Sequence, residues 1–265
     1  MGRAIVVTSG KGGVGKTTTS FNIGTGLALA NKRVVLVDAD IGLRNLDVAM
    51  GLENRIVFDL VDVVENKCRM QQALVKDKRF DDYLYLLPAS QTKEKSAVTA
   101  EQFKQLTTEL KRQYDYVIID CPAGIEQGFR NAVAGVDEAI VVTTPENTAI
   151  RDADRVIGLL EKEEIQPPKL IVNRLRPDMV RGGDIIEVDE IVQVLAIDLL
   201  GVVPDDANVI KGSNRGEPLA MDTNSRAGRA YLNISKRILG EAVPLMPLYE
   251  KTSWWKRMKK WFGNA

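Results

Sequence analysis

The sequence contains no histidine, and its 265 residues include only two cysteines, Cys68 and Cys121. Histidine is the commonest protein ligand of zinc and haem and the commonest general base. Its absence therefore argues against zinc, haem and Ser-His-Asp chemistry. We expect the two thiols to be reduced rather than joined in a disulfide.

Long hydrophobic runs are also missing. No stretch approaches the roughly 20 apolar residues of a transmembrane helix. The N-terminal segment MGRAIVVTSG has too short an apolar run for a signal peptide, and Val6 stands where a myristoylation motif needs Ser or Thr. We therefore expect a cytoplasmic location.

Neither sign of charge predominates, because 36 basic residues balance 36 acidic ones. The distribution is uneven, however: residues 251–265 contain basic side chains and no acidic ones. A mildly acidic body thus carries a basic tail. With 45% hydrophobic residues, a chain of this length can bury the core of one α/β domain.

What the sequence has is a regular alternation of short Val- and Ile-rich runs with longer segments of helical period. Runs that are apolar on both faces are typical of a parallel sheet covered by helices, so the pattern predicts an α/β fold with a doubly wound, mostly parallel sheet. The predicted strands are 4–9, 33–40, 83–90, 116–124, 138–146, 169–175 and 199–206. The predicted helices are 17–30, 99–113, 125–134, 147–163, 187–195 and 224–239. We expect a domain over 1–240, a proline-containing linker over 241–252 and an amphipathic helix over 253–265.

The segment SGKGGVGKTTTS (9–20) fits two phosphate-binding patterns, G-x-G-x-x-G and G-x-x-x-x-G-K-[ST]. The first indicates a dinucleotide fold, which needs no lysine after its third glycine. The second indicates a P-loop, whose lysine and hydroxyl meet the β- and γ-phosphates and a magnesium ion. Lys16 and Thr17 stand at those positions, and Asp120 ends the apolar run YVIID, where a P-loop enzyme needs an acidic residue.

One observation supports the dinucleotide alternative, because Asp38 ends the second run about where a ribose-binding acid is expected. In that case Lys16 and Thr17 would have no role. The segment from Asp38 to Asp47 also contains Asp40 and is typical of a polar switch loop near phosphates. The sequence therefore favours a nucleoside triphosphate over NAD or FAD.

With a lysine at its second position, KGGVGKTT resembles the deviant Walker A (ParA/MinD) family of P-loop ATPases. DADIGLRNLD (38–47), DCPAGIE (120–126), TTPE (143–146) and NRLRP (173–177) are similar to motifs of the branch that determines the division septum. The resemblance implies ATP and Mg²⁺ as cofactors. It also implies a homodimer in which Lys11 reaches the phosphates bound by the partner.

The same resemblance implies individual roles. Asp40 would position the attacking water, Asp38 would support the magnesium shell and Asp120 would be the distal acid. Glu146 and Asn173 would contact ribose and adenine, on the resemblance alone. The expected nucleotide-binding residues are Gly10, Lys11, Gly12, Gly13, Val14, Gly15, Lys16, Thr17, Thr18, Glu146 and Asn173. The expected catalytic residues are Lys11, Lys16, Asp38, Asp40 and Asp120, and those expected at the metal are Thr17, Asp38 and Asp120.

The tail TSWWKRMKKWFGNA (252–265) segregates its side chains when it is placed on a helix at 100° per residue. The apolar residues fall within a sector of about 120° and the cations lie outside it. This segregation favours a lipid surface over packing on the body or stacking on nucleic acid. The expected membrane-binding residues are Trp254, Trp255, Met258, Trp261, Phe262, Lys256, Arg257, Lys259 and Lys260.

Taken with the resemblance, these features predict a slow, partner-stimulated ATPase that dimerises with ATP and lies peripherally on the inner face of the cell membrane. The implied partners are an anionic membrane surface, a MinC-like division inhibitor and a MinE-like or topological activator, whereas DNA is not expected. Two alternatives stay open: a partition-type ATPase that binds non-specific DNA, and a related membrane ATPase that positions flagella.

Overall fold

The computed structural model describes residues 1–165 and 167–247. Its centre is one eight-stranded sheet in the order β3-β4-β2-β5-β1-β6-β7-β8. Every neighbouring pair is parallel except β3 and β4, which are antiparallel. The strands are β1 (Arg3–Thr8), β2 (Val34–Asp38), β3 (Val75–Lys76), β4 (Leu84–Leu87), β5 (Tyr116–Asp120), β6 (Glu138–Thr143), β7 (Lys169–Leu175) and β8 (Leu199–Pro204).

Helices connect the strands and cover both faces of the sheet. They are α1 (Lys16–Leu29), α2 (Leu46–Met50), α3 (Leu60–Val64), α4 (Met70–Ala73), α5 (Ala100–Lys111), α6 (Gln127–Val133), α7 (Asn147–Lys162), α8 (Pro177–Gly182), α9 (Val188–Leu195), α10 (Asn208–Arg215) and α11 (Arg226–Ile238). Three of their starts are capped by side chains that accept hydrogen bonds from backbone N–H groups: Asp59 caps α3, Thr99 caps α5 and Ser225 caps α11.

The strands are buried on both faces because their alternate side chains enter two separate cores. Val35 and Val117 pack into the first core, with residues of α5, α6, α7 and α9. Leu36 and Ile118 point the other way, into the second core with α1 and α11. This two-sided burial explains why the central strands have unbroken apolar sequences.

The predicted fold class is confirmed, and each of the seven predicted strands and six predicted helices is present within a few residues of its expected bounds. The sequence patterns missed β3 and five short helices, α2, α3, α4, α8 and α10. Strand β3 has two residues and four of the missed helices have four to six, which is too few alternations or turns to give a periodic signal. One consequence is a correction, because the expected switch loop 38–47 already enters helix α2 at Leu46.

No helix within the described part of the chain is both long and apolar enough to cross a membrane. The predicted amphipathic helix 253–265 lies outside the described residues. Of the predicted linker, residues 241–247 are described, and they run back along α11. Arg237 donates hydrogen bonds to the carbonyl oxygens of Val243 and Pro244, and Arg226 donates one to that of Pro247.

Candidate nucleotide site

The glycine-rich loop connects β1 to α1 at the carboxyl edge of the sheet. Gly13 and Gly15 have φ values of 79° and 98°, in the left-handed region that favours glycine. Gly15 is the N-cap of α1, so the loop ends on the positive end of the helix dipole. Backbone N–H groups at such a helix start form an anion site suited to phosphate.

Strand order separates the two phosphate-binding folds. In the dinucleotide fold, the strand that carries the ribose-binding acid neighbours the strand before the glycine loop. Here β5, which ends in Asp120, lies between β1 and β2. Asp38 is thus two strands away from the loop strand, and its registered neighbour is Asp120. This strand order is that of a P-loop fold, and it excludes the dinucleotide-binding fold.

Lys16, the first residue of α1, is buried among polar groups under the loop. Its Nζ donates a hydrogen bond to Ser9 Oγ at 3.1 Å, and Ser9 Oγ in turn donates to the carbonyl oxygen of Lys11 at 2.8 Å. A buried ammonium group with one hydroxyl partner retains two unused donors. It therefore provides a strong, fixed binding point for anionic oxygens.

Asp38 and Asp120 end adjacent strands, and both are buried. Burial, together with the neighbouring Asp120, raises the pKa of Asp38 from 3.8 to about 8, although the N–H groups of Asp40 and Leu46 oppose the rise. Burial also raises the pKa of Asp120 to about 6, and hydrogen bonds from Thr17 and Ser20 and the charge of Lys16 oppose that rise. Two buried carboxylates side by side repel each other, so a cation between them would be stabilised.

Asp40 is half-buried beyond the end of β2. Its Oδ1 lies 3.8 Å from Lys95 Nζ and accepts no hydrogen bond within the described residues. Burial raises the pKa of Asp40, and Lys95 and Lys16 oppose the rise. This oxygen has an ion-pair partner in Lys95 but no hydrogen-bond donor among the described residues, so it can still accept a hydrogen bond from a bound water.

Lys11 lies on the exposed side of the loop, away from Lys16. Its Nζ is 3.1 Å from Glu146 Oε2 and 3.3 Å from Thr148 Oγ1, both at the start of α7. Both members of the ion pair are exposed, with side-chain accessibilities of 41% and 58%, so the pair contributes little to stability. Lys11 is therefore easily released from its own chain.

Asn173 is buried in β7, below the loop. Its Nδ2 donates to the carbonyl oxygen of Val14 at 2.8 Å, and its Oδ1 accepts from the N–H of Arg174. A Cβ at position 15 would collide with this amide, which is a second reason for glycine there. The expected adenine contact stays a prediction. The observed role of Asn173 is to hold the loop.

Sequence reasoning missed three residues of this site. Ser9 supports Lys16, Ser20 donates to Asp120 Oδ1 at 3.0 Å, and Lys95 faces Asp40. Ser9 and Ser20 flank the glycine motif, so their position gave a usable signal. Lys95 lies between β4 and α5, and no local pattern connects it to Asp40.

The residues at this site fit a magnesium ion that is bound partly by the protein and partly by the phosphates of a nucleotide. Within residues 1–165 and 167–247, no three His, Cys, Asp or Glu side chains form a group that could hold a metal by themselves. Asp38, Asp120 and the Thr17 hydroxyl supply hard oxygen ligands. Mg²⁺ is commonly bound through one or two carboxylates together with phosphate oxygens and water.

The chain is a P-loop nucleoside triphosphatase, because it combines the glycine-rich loop with the buried Lys16 and with acidic residues at the ends of two adjacent strands. Residues 2–167 match the model of a family described as "AAA domain". The chain is 66% identical over 265 residues to the septum site-determining protein MinD of Bacillus subtilis strain 168, and the match covers 99% of each chain. The chain belongs to the MinD family.

Two solved structures share the fold and a substantial part of the sequence. One is a MinC:MinD cell division protein complex of Aquifex aeolicus, with 46% identity and a TM-score of 0.87, covering 92% of this chain and 98% of that one. The other is the MinD of Pyrococcus horikoshii complexed with Mg-ADP, with 27% identity and a TM-score of 0.81, covering 92% and 100%.

Proposed function

We propose that the chain is an ATPase that helps to determine the division site, by recruiting a division inhibitor to the membrane in its ATP form and leaving the membrane after hydrolysis. The observation that carries this proposal is the P-loop with its buried Lys16 and acidic strand ends, in a chain that closely matches MinD over nearly its whole length. Mg-ADP in the Pyrococcus relative supports ATP and Mg²⁺ as the ligands here.

The loop residues 10–18 bind the phosphates. Lys16 Nζ holds β- and γ-phosphate oxygens, backbone N–H groups from Gly10 to Gly15 bind the remaining oxygens, and Thr18 lies near the α-phosphate. Asp38, Asp120 and Thr17 hold Mg²⁺, which neutralises charge that develops on the phosphates. Glu146 and Asn173 contact the ribose and the adenine.

Asp40 orients the water that attacks the γ-phosphate, through the carboxylate oxygen that has no hydrogen-bond partner in the described structure. The sequence has no histidine to act as a stronger base. Hydrolysis is therefore slow until an activator, MinE-like or topological, completes the site. The enzyme then acts as a timer whose ATP and ADP forms bind different partners.

Dimerisation assembles two of these sites face to face. Lys11 leaves Glu146 and Thr148 and reaches the phosphates bound by the partner subunit, where a cation offsets the charge of two apposed triphosphates. Each protomer consists of a domain over 1–240, a linker over 241–252 and a membrane helix over 253–265. Two tails on one dimer bind an anionic membrane far more tightly than one.

The Aquifex relative in complex with MinC supports a MinC-like division inhibitor as partner. No observation at the site favours DNA partition or the positioning of flagella, and the identity to MinD weighs against both.

Gene replacement tests the proposed function. When the chain replaces the Bacillus subtilis MinD, we expect septa at mid-cell, whereas a Lys16→Ala form of the chain should leave septa near the poles. Polar septa with the unchanged chain, expressed at the level of the replaced protein, would contradict the proposal.

A further inference from the structure

The described end of the chain is fixed against helix α11. After Ile238 the chain turns back, and Arg237 and Arg226 bind backbone carbonyl oxygens at Val243, Pro244 and Pro247. Met246 packs on the second core. The last described residue, Pro247, is therefore held near the first residue of α11. The described part of the chain thus ends at a fixed position beside α11.

A groove of about 560 Å³ lies between this returning segment and α11. Among the described residues that line it, three side chains are cationic and none is a carboxylate; these residues are Thr223, Arg226, Arg229, Leu232, Asn233, Lys236, Met246 and Pro247. At 100° per residue, the three cations fall within about 80° of the helix circumference. We call Arg226, Arg229 and Lys236 the basic stripe.

Two members of the basic stripe are available for an external ligand. Arg229 and Lys236 are exposed, and within the described residues neither forms an ion pair. Two exposed cations such as Arg229 and Lys236, close together on one helix, attract an anionic surface. The charged residues among the described lining of the groove are all cationic, although the net charge of the whole protein is zero.

The length of the chain between Pro247 and the tail allows the tail and the basic stripe to reach the same surface. Six peptide steps separate Pro247 from Ser253, so the predicted membrane helix starts no more than about 20 Å from Pro247. Helix α11 is itself about 20 Å long. A surface that binds the tail can therefore also be reached by Arg229 and Lys236.

We propose that the basic stripe on α11 is a second membrane-binding surface, which contacts the headgroups of anionic lipids once the tail has inserted. This inference rests on the proposed membrane association of the ATP form. The stripe also sets the orientation of the body, with α11 and the segment 241–247 toward the membrane. Anionic lipid is favoured over nucleic acid because the stripe lies beside Pro247, and the sequence that follows Pro247 contains all three tryptophans of the protein, which suit a lipid interface.

The test compares vesicle binding of the full chain with that of an Arg229→Ala/Lys236→Ala double variant, with ATP and Mg²⁺ at low salt. A cation near an anionic surface contributes about 1 kcal/mol, which corresponds to about fivefold in affinity. We expect the double variant to bind phosphatidylglycerol-containing vesicles at least about tenfold more weakly than the unchanged chain. On purely zwitterionic vesicles the two should bind equally.

The matched control is Lys104→Ala/Arg112→Ala, which removes the same charges from exposed positions at α5, on the other face of the sheet. We expect this variant to bind anionic vesicles as the unchanged chain does, or nearly so. Size-exclusion chromatography with ATP should show dimers of both variants, which verifies their folding.

Two results would overturn the inference while leaving the proposed function intact. One is equal vesicle binding by the Arg229/Lys236 variant and the unchanged chain. The other is a loss of binding to duplex DNA in that variant with vesicle binding unaltered, which would assign the stripe to nucleic acid. By contrast, failure of the unchanged chain to bind any vesicle with ATP would remove the proposed membrane function and the inference with it.

Discussion

The amide nitrogen of Asn173 donates a hydrogen bond to the carbonyl oxygen of Val14 at 2.8 Å, across 159 positions of sequence. The bond ties strand β7 to the phosphate loop just before Gly15. Without it, the buried carbonyl of Val14 would lose its partner, which costs about 1–3 kcal/mol. Asn173 therefore holds the loop in the conformation that binds phosphate before any nucleotide arrives.

From this relationship we expect Asn173→Ala to weaken binding of ATP and of inorganic pyrophosphate by a similar factor, about tenfold, as measured by calorimetry with Mg²⁺. Pyrophosphate has no adenine, so a residue that only contacts the base would not affect it. Unchanged pyrophosphate binding beside weakened ATP binding would restrict Asn173 to the adenine contact.

Substitution of Lys16 gives a second test of phosphate binding by the loop. Lys16→Ala removes the buried cation that faces the phosphates, and loss of one partner from a buried charged pair costs about 2–5 kcal/mol. We expect ATP affinity to fall by a factor of at least about 30 and turnover to disappear. Near-normal hydrolysis by this variant would argue against the P-loop assignment.

Lys11 and Asp40 should separate dimerisation from hydrolysis. Lys11→Ala should stay monomeric with ATP, because it lacks the lysine that reaches the partner's phosphates. Asp40→Ala should dimerise and hydrolyse poorly, because it lacks the carboxylate that orients water. Size-exclusion chromatography and phosphate release measure the two effects.

A control for the Lys11 variant is Thr148→Ala, which removes a contact of Lys11 within its own chain and leaves the lysine in place. This variant should dimerise normally. If Lys11→Ala also dimerises normally, the bridging role is wrong.

The paired carboxylates predict a pH dependence. A carboxyl group whose folded pKa is raised stabilises the fold at low pH, and this stabilisation is lost as pH rises through the folded pKa. The loss begins near the ordinary pKa of 3.8 and is complete by about pH 6 for Asp120 and by about pH 8 for Asp38. We expect Asp120→Asn to raise the melting temperature of the nucleotide-free protein, by an amount that increases from pH 5 to pH 8.5.

As a control, the melting temperatures of the unchanged chain and of Asp120→Asn are also compared with Mg²⁺ and ATP bound, where the order should reverse. With Mg²⁺ and ATP present, the unchanged chain should melt at the higher temperature, because asparagine is a poorer magnesium ligand than aspartate. A stabilisation of Asp120→Asn that decreases with rising pH would contradict the electrostatic account.

The sequence was sufficient to predict the fold class, because buried parallel strands give a local pattern. The glycine motif and the acidic end of a strand are local patterns as well, and they led to the prediction of Lys16, Thr17 and Asp120 at the phosphate site. The link from Asn173 to Val14 and that from Lys95 to Asp40 could not be predicted, since each joins residues that only the strand order brings together. Helix α10 was missed because its apolar side is limited to Val209 and Ile210, and none of its eight residues is fully buried.

The central claim is that ATP controls membrane binding through dimerisation. Its most direct measurement is sedimentation with anionic vesicles of the full chain and of a form lacking residues 253–265, each with ATP and with ADP. The account predicts that only the full chain with ATP sediments strongly, on the order of a hundredfold tighter than with ADP, because two tails bind together. It also predicts that the shortened form still dimerises with ATP. Equal sedimentation of the full chain with ADP, or sedimentation of the shortened form with ATP, would contradict it.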